Sequence, residues 1–445
     1  MIGLIMFGVA LLLLLVGYPV AFTFGAVSIL FGMLAAWFEI IPDGGTVLEF
    51  WEEFLSMFSM MPFRLYSIMT NKILMAIPLF IFMGIVLQKS ELAERMLSSM
   101  GILFGKVRGG LAVSTVLIGA LLAASTGVVG ASVVAMGVIS LPVMLDNGYK
   151  KSLSCGTICA AGTLGQIIPP SIVLIVLADV FQLPVGDLFI AALVPGLMLV
   201  TVYVIYVFIV AFFDKDAAPA IEIDASVTKG ANIKKALLSV IPPLTLIILV
   251  LGSIFAGIAT PTESASLGAF GSIVLALMYR KLSYGMIKEA SLETVKTTSM
   301  VFAILIGATA FSMVFTYSGA DELVEVFMTS LPGEKWGFLI LSMLIIMFLG
   351  FFIDFFEISY IVVPILLPIV YILGIDPLWF AILIALNLQT SFLTPPFGFS
   401  LFYLKGVAPS TIKTTDIYKG VIPFILLQVL VLASIVMFPS FYGFG

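Results

Sequence analysis

The sequence predicts an all-α polytopic membrane protein with inverted-topology repeats, two re-entrant helical hairpins and broken helices. The first observation behind this prediction is the composition: of 445 residues, 62% are hydrophobic and 10% are charged, with a mean hydropathy of +1.25. Apolar runs of about 20 residues, long enough to cross a bilayer, recur along the chain. We therefore expect one integral membrane unit over residues 1–445, in which the apolar N-terminus is the first helix and not a cleaved signal peptide.

The second observation is an internal repeat. The stretch from Ile139 to Pro170 and the stretch from Ile365 to Pro396 follow the same pattern, 226 positions apart. The coinciding positions are Pro142 with Pro368, Gly148 with Gly374, and Pro169-Pro170 with Pro395-Pro396. Proline breaks a helix, and lipid cannot satisfy the polar backbone groups that the break frees. Paired breaks in the two halves of a membrane protein indicate a secondary transporter and mark its binding centre.

The third observation is the distribution of charge between the apolar runs. Basic residues collect in five gaps, which the positive-inside rule places in the cytoplasm: Lys89 to Arg108, Lys150 and Lys151, Lys229 to Lys235, Arg280 to Lys288, and Lys405 to Lys419. The acidic gaps are expected outside: Glu39 to Glu53, Asp179 to Asp187, Asp321 to Glu334, and Asp376. Residues 110–145 then start and end inside, and residues 336–373 start and end outside. Each is a re-entrant hairpin or, alternatively, a plain helix pair, and the two repeats are inverted.

The remaining helices follow in chain order from the apolar periodicity. They are expected near residues 2–38, with a split at Gly17-Tyr-Pro19, and near 63–88, 151–178, 187–212, 236–257, 263–279, 292–318, 377–404 and 420–439. Amphipathic stretches beginning at Ser90 and Ala320 precede the two hairpins and are expected to lie along opposite membrane surfaces. They are candidate arms of a moving domain.

These elements group into five parts. Residues 1–88 are expected to be N-terminal scaffold helices, 89–212 the first repeat with the inner hairpin 110–145, 213–235 a cytoplasmic linker, 236–318 further scaffold helices, and 319–445 the second repeat with the outer hairpin 336–373. The linker is the one long polar stretch, and we assign it no function.

The first candidate site joins the turn of the inner hairpin to the break that follows it. Ser125, Thr126 and Gly127 in the turn can offer hydroxyl and carbonyl oxygens to a hard cation at two half-helix ends. The break from Gly165 to Ser171 frees carbonyls near Gly165 and Ile168 that can complete the site. A small-residue helix contact is the alternative interpretation of the turn.

The second candidate site uses different side chains. Asp354 and Glu357 lie within the outer hairpin, where a central charge costs about 2.5–3.5 kcal/mol on insertion scales and indicates function. Asp354 is the preferred ligand of the two. The partner break, Asn387 to Gly398, adds amide and hydroxyl groups that can bind a cation or an organic anion. A simple proline kink is the alternative.

The segment from Thr260 to Glu263 has the pattern of a helix start. Thr260 is a capping residue, Pro261 suits the first turn, and Glu263 is the carboxylate of a capping box. For this signature, Thr260, Pro261, Thr262 and Glu263, local capping is at least as strong an interpretation as contact with a ligand.

Residue types that the sequence lacks narrow the function. The chain has no histidine, so it has no imidazole for a proton relay, which favours sodium as the coupling ion. It has no G-x-x-x-x-G-K-[ST] phosphate loop and no convincing nucleophile–base pair, so ATP hydrolysis and acyl transfer lack their usual residues. A channel also uses broken helices, but a twofold repeat with two ion-like sites favours alternating access.

With these motifs, the chain resembles over essentially its full length the large membrane subunit of TRAP (tripartite ATP-independent periplasmic) transporters, in the ion-transporter superfamily of elevator carriers. The most specific motifs are Gly257-Ile-Ala-Thr-Pro-Thr-Glu-Ser-Ala265, the break from Gly165 to Ser171, and Leu393-Thr-Pro-Pro-Phe-Gly398. The sequence departs from the family at Ser125-Thr-Gly127, where a Ser-Gly-Ser-like turn is usual, and at Ser391, where glycine is usual.

The resemblance implies sodium-driven import of an organic acid anion by an elevator-type transporter in the bacterial inner membrane. It implies two protein partners, a periplasmic substrate-binding protein that delivers the anion and a small four-helix membrane subunit that braces the scaffold. The anion could be a C4-dicarboxylate, sialic acid, a sugar acid or a sulfonate. A self-sufficient dicarboxylate or gluconate carrier of the same superfamily is the second interpretation.

By the same resemblance, each hairpin and its break hold one transported sodium ion, with no catalytic metal, and the substrate binds between the hairpin tips. The residues implied are Ser125, Thr126, Gly127, Gly165, Ile168 and Pro170 for sodium site 1; Asp354, Thr394, Pro396, Phe397 and Gly398 for sodium site 2; and Ser125, Gln166, Ser171, Asn387, Gln389 and Thr394 for the substrate. The unit that carries both hairpins is expected to move.

Overall fold

Interrupted helices are the main feature of the fold. A computed structural model describes residues 1–42, 44–104, 107–220 and 229–444, and all regular structure within those residues is helical. The first half contains α1 (Ile2–Val16), α2 (Val20–Ile40), α3 (Val47–Met57), α4 (Met61–Thr70), α5 (Ala76–Lys89), α6 (Leu92–Phe104), α7 (Gly110–Thr126), α8 (Val129–Asp146), α9 (Lys151–Thr163), α10 (Ile172–Phe181) and α11 (Val185–Phe213).

The second half repeats this order of elements. It contains α12 (Lys229–Phe255), α13 (Pro261–Met278), α14 (Tyr284–Tyr317), α15 (Ala320–Thr329), α16 (Lys335–Leu349), α17 (Phe355–Glu357), a π-helical turn (Ile358–Val362), α18 (Val363–Ile372), α19 (Pro377–Leu393), α20 (Phe399–Val407) and α21 (Thr414–Met437). Helices α7 and α8 form the inner hairpin, and α16 to α18 form the outer hairpin. Broken helices follow each hairpin, α9 with α10 and α19 with α20.

Among the described residues, seven helical spans are long and apolar enough to cross a membrane. They are α2, α8, α11, the part of α12 from Leu237 to Phe255, α14, the continuous span from α17 to α18, and α21. The first arms of both hairpins and three further apolar helices are shorter than this limit. The prediction of an all-α polytopic membrane protein is confirmed.

Two predicted helices differ from the structure near the N-terminus. The span 63–88 is divided, because the side chain of Asn71 accepts hydrogen bonds from the backbone N–H groups of Ile73 and Leu74 and turns the chain between α4 and α5. The acidic gap after Glu39 contains α3, which Thr46 opens with a capping box. The expected split near Gly17 is present between α1 and α2.

The predicted linker, residues 213–235, makes specific contacts in its described part. Asp214 to Pro219, which we call the strap, lies across the cytoplasmic base of the inner hairpin. The carbonyls of Ala217 and Ala218 accept hydrogen bonds from the backbone N–H groups of Lys150 and Gly109, each at 3.0 Å, and the Lys150 ammonium pairs with Asp214. Helix α12 also begins inside this range. The polar composition did not reveal these contacts because backbone groups make most of them.

The two repeats interlock. Each hairpin packs against the first half of its own broken helix, and the second half of each broken helix packs against the hairpin of the other repeat. Tyr403 of α20 covers Gly130 of α8 so closely that a Cβ on this glycine would lie 2.9 Å from the tyrosine Cζ. Helix α21 crosses α9 where a Cβ on Gly156 would lie 2.1 Å from the carbonyl oxygen of Gly420. The breaks of both repeats are therefore held in one packed unit.

The helices that the sequence assigns to a scaffold pack mainly on one another. Helix α13 packs against α5, and α14 packs against α2 and α5. A Cβ on Gly307 of α14 would lie 2.6 Å from the carbonyl oxygen of Ala21, and the rings of Phe24 and Phe311 lie 5.1 Å apart in the same interface. The division of the chain into a scaffold and a moving part stays a prediction.

Contacts between the ends of helices agree with the two predicted membrane sides. Contacts on the cytoplasmic side join Lys89 to Glu289 and Glu293, Lys281 to Glu91, and Lys150 to Asp214. Contacts on the outer side join Asn71 to Asp179, Tyr317 to Glu39, and Lys335 to the carbonyl of Gly374. These contacts support the predicted topology, in which the two hairpins enter from opposite sides.

Candidate functional site

The tip of the inner hairpin lies against the first helix break. Gly127 ends α7 in the left-handed conformation, with φ of 61°, and a Cβ on it would lie 2.9 Å from Cγ1 of Ile172, the first residue of α10. A Cβ on Gly165 would lie 2.7 Å from the carbonyl oxygen of Ala123, so only glycine allows this approach. The strap thus holds the base of the hairpin and its tip ends at the break, as expected for a re-entrant segment.

The outer hairpin makes the corresponding contact from the opposite side. At its tip, a Cβ on Gly350 would lie 2.2 Å from the hydroxyl oxygen of Ser391, and the rings of Phe352 and Phe397 lie 5.0 Å apart. At its base, Lys335 donates a hydrogen bond of 3.2 Å to the carbonyl of Gly374. This hairpin is also re-entrant.

A difference in glycine placement explains the unusual Ser391. Gly165 and Ser391 are equivalent in the two repeats. In the first repeat the broken helix supplies the glycine at the contact between helix and hairpin, whereas in the second repeat Gly350 of the hairpin supplies it. The side chain of Ser391 therefore fits without separating the hairpin from the helix.

The first break leaves a buried amide without a partner. A 3₁₀ turn over Leu164–Gln166 ends α9, and the Ser171 hydroxyl donates a hydrogen bond of 2.8 Å to the carbonyl of Gln166 before it caps α10. The Gln166 side chain is fully buried, yet both its amide oxygen and its amide nitrogen lack a partner among the described residues. An unsatisfied buried polar group is destabilising by about 1–3 kcal/mol, so this amide is available to a ligand or a water molecule.

The second break has a related pattern of hydrogen bonds. Ser400 donates a hydrogen bond of 2.8 Å to the carbonyl of Phe392, which is the repeat equivalent of Gln166. A serine hydroxyl thus caps the same freed carbonyl in both halves. The carbonyl of Thr394 accepts from the N–H of Gly398 at 3.0 Å, and the carbonyl of Pro396 accepts from the Tyr418 hydroxyl at 2.9 Å. The peptide bonds Pro169-Pro170 and Pro395-Pro396 are both cis.

Two carboxylates open α17 next to the second break. The half-buried Asp354 accepts a hydrogen bond of 2.7 Å from the N–H of Phe355 and so caps the helix. Glu357 is 2% exposed, and its Oε2 has no hydrogen-bond partner among the described residues. Asp354 therefore keeps one oxygen for a cation.

The structure assigns different surroundings to the two amides of α19. Asn387 donates a hydrogen bond of 2.6 Å to the carbonyl of Met343 and so ties α19 to the first arm of the outer hairpin. Gln389 donates a hydrogen bond of 3.5 Å to the Thr163 hydroxyl, whereas its amide oxygen has no partner among the described residues. Gln389 therefore keeps a buried amide oxygen for a substrate, whereas the amide nitrogen of Asn387 is occupied by the hairpin.

The Thr260 signature forms the expected capping box at the start of α13. The Thr260 N–H donates to the Glu263 carboxylate at 2.7 Å, and the Glu263 N–H donates to the Thr260 hydroxyl at 3.3 Å. Pro261 occupies the first turn, and the Thr262 hydroxyl donates a hydrogen bond of 2.6 Å to the carbonyl of Lys72. The signature is part of the packing around α5 and lies apart from both breaks.

The structure brings most of the predicted site residues to the two breaks. The residues at the first break are Gly127, Gly165, Gln166, Ile168, Pro170 and Ser171, and those at the second are Asp354, Gln389, Thr394, Pro396, Phe397 and Gly398. The side chains of Ser125 and Thr126 lie outside the described part of the chain. The sequence analysis did not identify Thr163. This residue is the repeat equivalent of Gln389, which could have indicated that the two side chains meet.

Two opposed hairpins that meet two helix breaks define an inverted-repeat membrane transporter. The family model described as "Tripartite ATP-independent periplasmic transporter, DctM component" matches residues 7–441, and the chain belongs to this family.

Named relatives agree with the family. The chain is 32% identical over 379 residues to the C4-dicarboxylate TRAP transporter large permease protein DctM of Pseudomonas aeruginosa, with 85% of this chain and 87% of that protein covered. It is 31% identical to the isethionate TRAP transporter permease protein DctMQ of Oleidesulfovibrio alaskensis, with 96% of this chain but only 64% of that protein covered. Both relatives are named as transporter permeases and not as enzymes.

A solved structure shares the fold. The crystal structure of the YdaH transporter of Alcanivorax borkumensis, described as having an unusual topology, matches with a TM-score of 0.59 and 15% identity. The match covers 87% of this chain and 89% of that one. At this identity, the likeness concerns the fold alone.

Proposed function

We propose that the protein imports an organic acid anion across the bacterial inner membrane and that the sodium gradient drives this import. The observation that carries the proposal is the meeting of two hairpin tips and two helix breaks in one packed unit. At this centre, the buried amide of Gln166 and one amide oxygen of Gln389 lack partners among the described residues. A transported ligand would satisfy these groups.

The first sodium site is proposed at the inner hairpin tip and the first break. Sodium is a hard cation and prefers oxygen ligands. The backbone of Gly127 and Gly165 would supply them together with the carbonyls near Ile168 and Pro170, because the helix break frees these groups from regular hydrogen bonding. The Gln166 carbonyl is less suitable, since it already accepts a hydrogen bond from the Ser171 hydroxyl.

The second sodium site is proposed between Asp354 and the second break. The Asp354 carboxylate has one oxygen beyond its cap, and a bound cation would compensate this charge inside the hairpin. The Phe392 carbonyl is less suitable as a further ligand, since it already accepts a hydrogen bond from the Ser400 hydroxyl. Backbone oxygens elsewhere between Thr394 and Gly398, where the helix is broken, would complete the site.

The substrate is proposed to bind between the two tips. The named relatives handle a C4-dicarboxylate and isethionate, which are small organic anions with carboxylate or sulfonate groups. Gln166 and Gln389 would donate to or accept from the substrate, and the N-terminus of α10 at Ser171 would favour its negative charge. Asn387 would act indirectly by fixing α19 to the outer hairpin.

Transport is proposed to follow an elevator mechanism. The hairpins and broken helices form one interlocked unit, which would move as a body against the scaffold helices α2, α5, α13 and α14. Helices α6 and α15, whose sequences are amphipathic, would serve as arms at opposite membrane surfaces. A periplasmic binding protein would deliver the anion, and a small four-helix subunit would brace the scaffold.

Uptake into proteoliposomes tests the proposal. The chain would be reconstituted with its small membrane subunit, and a loaded binding protein would be added outside. We expect uptake that requires an inward sodium gradient and does not respond to ATP. Equal uptake driven by a proton gradient without sodium would contradict the coupling, and equal uptake without the binding protein would identify a self-sufficient carrier.

A further inference from the structure

One buried carboxylate belongs to neither proposed sodium site. Asp179 of α10 is 8% exposed and forms no ion pair among the described residues. It lies near the C-terminal end of its helix, where the helix dipole disfavours a negative charge. A buried charge in such surroundings is destabilising unless several hydrogen bonds compensate it. The residues that provide these bonds therefore indicate why a carboxylate is present.

The two oxygens of Asp179 accept hydrogen bonds from two different parts of the fold. Asn71, in the turn before α5, donates from Nδ2 to Oδ1 at 2.6 Å. Tyr360, in the π-helical turn of the outer hairpin, donates from its hydroxyl to Oδ2 at 3.5 Å. Both donors are neutral. The carboxylate thus connects α10 to a predicted scaffold segment and to the hairpin that carries Asp354.

The position of Asn71 is fixed on the scaffold side. Its Oδ1 accepts hydrogen bonds from the N–H groups of Ile73 at 2.9 Å and Leu74 at 3.4 Å, so the amide nitrogen must face Asp179. The next residue, Lys72, accepts a hydrogen bond through its carbonyl from the Thr262 hydroxyl at 2.6 Å. The capped start of α13 therefore holds the turn that contacts Asp179, which gives the Thr260 signature a structural purpose.

The position of Tyr360 is fixed on the hairpin side. It is 9% exposed and lies one turn after Glu357. Single π-helical turns within α-helices are often found at functional sites, because the inserted residue redirects side chains. Here the turn separates α17, which Asp354 caps, from α18. Tyr360 therefore joins Asp179 to the segment next to the second proposed sodium site.

We propose that Asp179 is a positioning residue that docks α10 and the outer hairpin onto Asn71, and that the Asn71–Asp179 hydrogen bond opens in each transport cycle. The inference rests on the elevator movement proposed above. A hydrogen bond to a charged group changes an equilibrium by roughly ten- to a hundredfold. That is strong enough to favour the conformation seen here, and weak enough to open because the donor carries no charge.

Distances between spin labels on the two parts test this proposal without requiring transport. Labels would be placed at Glu52 of α3 and Asp187 of α11, which are both exposed and lie on the predicted outer side. The two native cysteines are buried, which limits unwanted labelling. Pulsed electron paramagnetic resonance would then measure the fraction of molecules in the docked arrangement, in the membrane and without a sodium gradient.

The decisive variants exchange the members of the pair. Asn71→Asp places two carboxylates against each other and should lower the ratio of docked to undocked molecules about tenfold or more. The double variant Asn71→Asp/Asp179→Asn restores one amide and one carboxylate. It also keeps acceptors for Ile73, Leu74 and Tyr360, so it should recover most of the docked fraction.

The controls separate this proposal from the transport function. Asn147→Asp adds the same charge at an exposed turn on the cytoplasmic side and should leave the distances unchanged. If Asn71→Asp protein does not fold, Asn71→Ala and Tyr360→Phe each remove one donor and should shift the ratio in the same direction. The role of Asp179 would be overturned if the distances in Asn71→Asp stayed unchanged while uptake still required sodium. It would also be overturned if the double variant recovered no more of the docked fraction than Asn71→Asp. If the distances shifted but the protein transported without sodium, only the proposed sodium coupling would be contradicted.

Discussion

Gln389 donates a hydrogen bond of 3.5 Å to Thr163, the residue 226 positions earlier, and the two residues occupy the same position in the two repeats. Equivalent residues can meet in this way only near an axis that relates the repeats. The axis therefore passes between α9 and α19, just before both helices break. The two breaks lie on either side of it, close to the contact between Thr163 and Gln389.

This relationship makes Gln166 the side chain best placed to bind the substrate. It lies one turn after Thr163, and its amide has no partner among the described residues. We expect Gln166→Met, which keeps the length but removes both polar atoms, to raise the substrate concentration for half-maximal uptake roughly ten- to a hundredfold. Gln428→Met in α21, where the glutamine is equally buried but far along the chain from both breaks, is the matched control. Equal effects of the two variants on uptake would contradict a role in binding.

Local sequence signals were sufficient to predict most of the fold. The matched prolines and glycines predicted both breaks, because helix interruption depends on residues at the interruption itself, and the charge pattern predicted the two hairpins. The charge pattern predicted the sides. The short α3 and the strap were missed, since α3 is an amphipathic helix within an acidic gap and the strap binds mainly through its backbone.

The use of individual polar groups could not be predicted in the same way. The carbonyl of Pro396 is occupied by Tyr418, the amide of Asn387 by Met343, and the carboxylate of Asp179 by Asn71. Each partner lies 22 or more positions away in the chain, and nothing in the local pattern indicates it. Sequence therefore identified the regions of the site, but tertiary contacts decide which atoms remain for ligands.

The contact between Gly165 and Ala123 predicts that a single methyl group will disturb the first break. In Gly165→Ala, the new Cβ must displace the Ala123 carbonyl, and overpacking of this kind destabilises a fold by about 1–3 kcal/mol. We expect a lower melting temperature in detergent and a loss of stabilisation by added sodium. Gly252→Ala in α12, where a Cβ meets nothing within 4 Å, should be neutral or slightly stabilising. A Gly165→Ala protein with unchanged sodium stabilisation would show that the contact is not part of a sodium site.

The ion pair in the strap predicts a simple dependence on pH. The hydrogen bond and charge of Lys150 hold the pKa of Asp214 below its usual value of 3.8. A group with a depressed pKa stabilises the fold above its unfolded pKa and loses this effect as the pH falls through the folded value. Corrected hydrogen-exchange protection of the Gly109 and Lys150 amides should therefore stay constant from about pH 8 to about pH 5 and fall below about pH 4.

Substitutions separate this ion pair from the general charge of the strap. Asp214→Asn should lower protection of the Gly109 and Lys150 amides above about pH 5 and should abolish the fall at lower pH, because the carboxylate that holds Lys150 is absent. Asp216→Asn removes the same charge from a neighbouring position, and its carboxylate makes no ion pair among the described residues. If both variants lowered protection equally, general charge and not the Lys150 pair would hold the strap.

The last prediction concerns Asp354 as a ligand of the second sodium ion. Asp354→Asn keeps the shape of the side chain and can still cap α17, but it removes the charge that a cation would neutralise. We expect the variant to fold. It should need at least roughly tenfold more sodium for half-maximal uptake, because the loss of one partner of a buried charge pair is strongly unfavourable. Glu357→Gln should be milder, since Asp354 and not Glu357 is the proposed ligand. Asp321→Asn in α15 controls for the loss of a half-exposed acidic group outside the hairpin. An unchanged sodium requirement in Asp354→Asn would leave the second site to the carbonyl oxygens around Gly398.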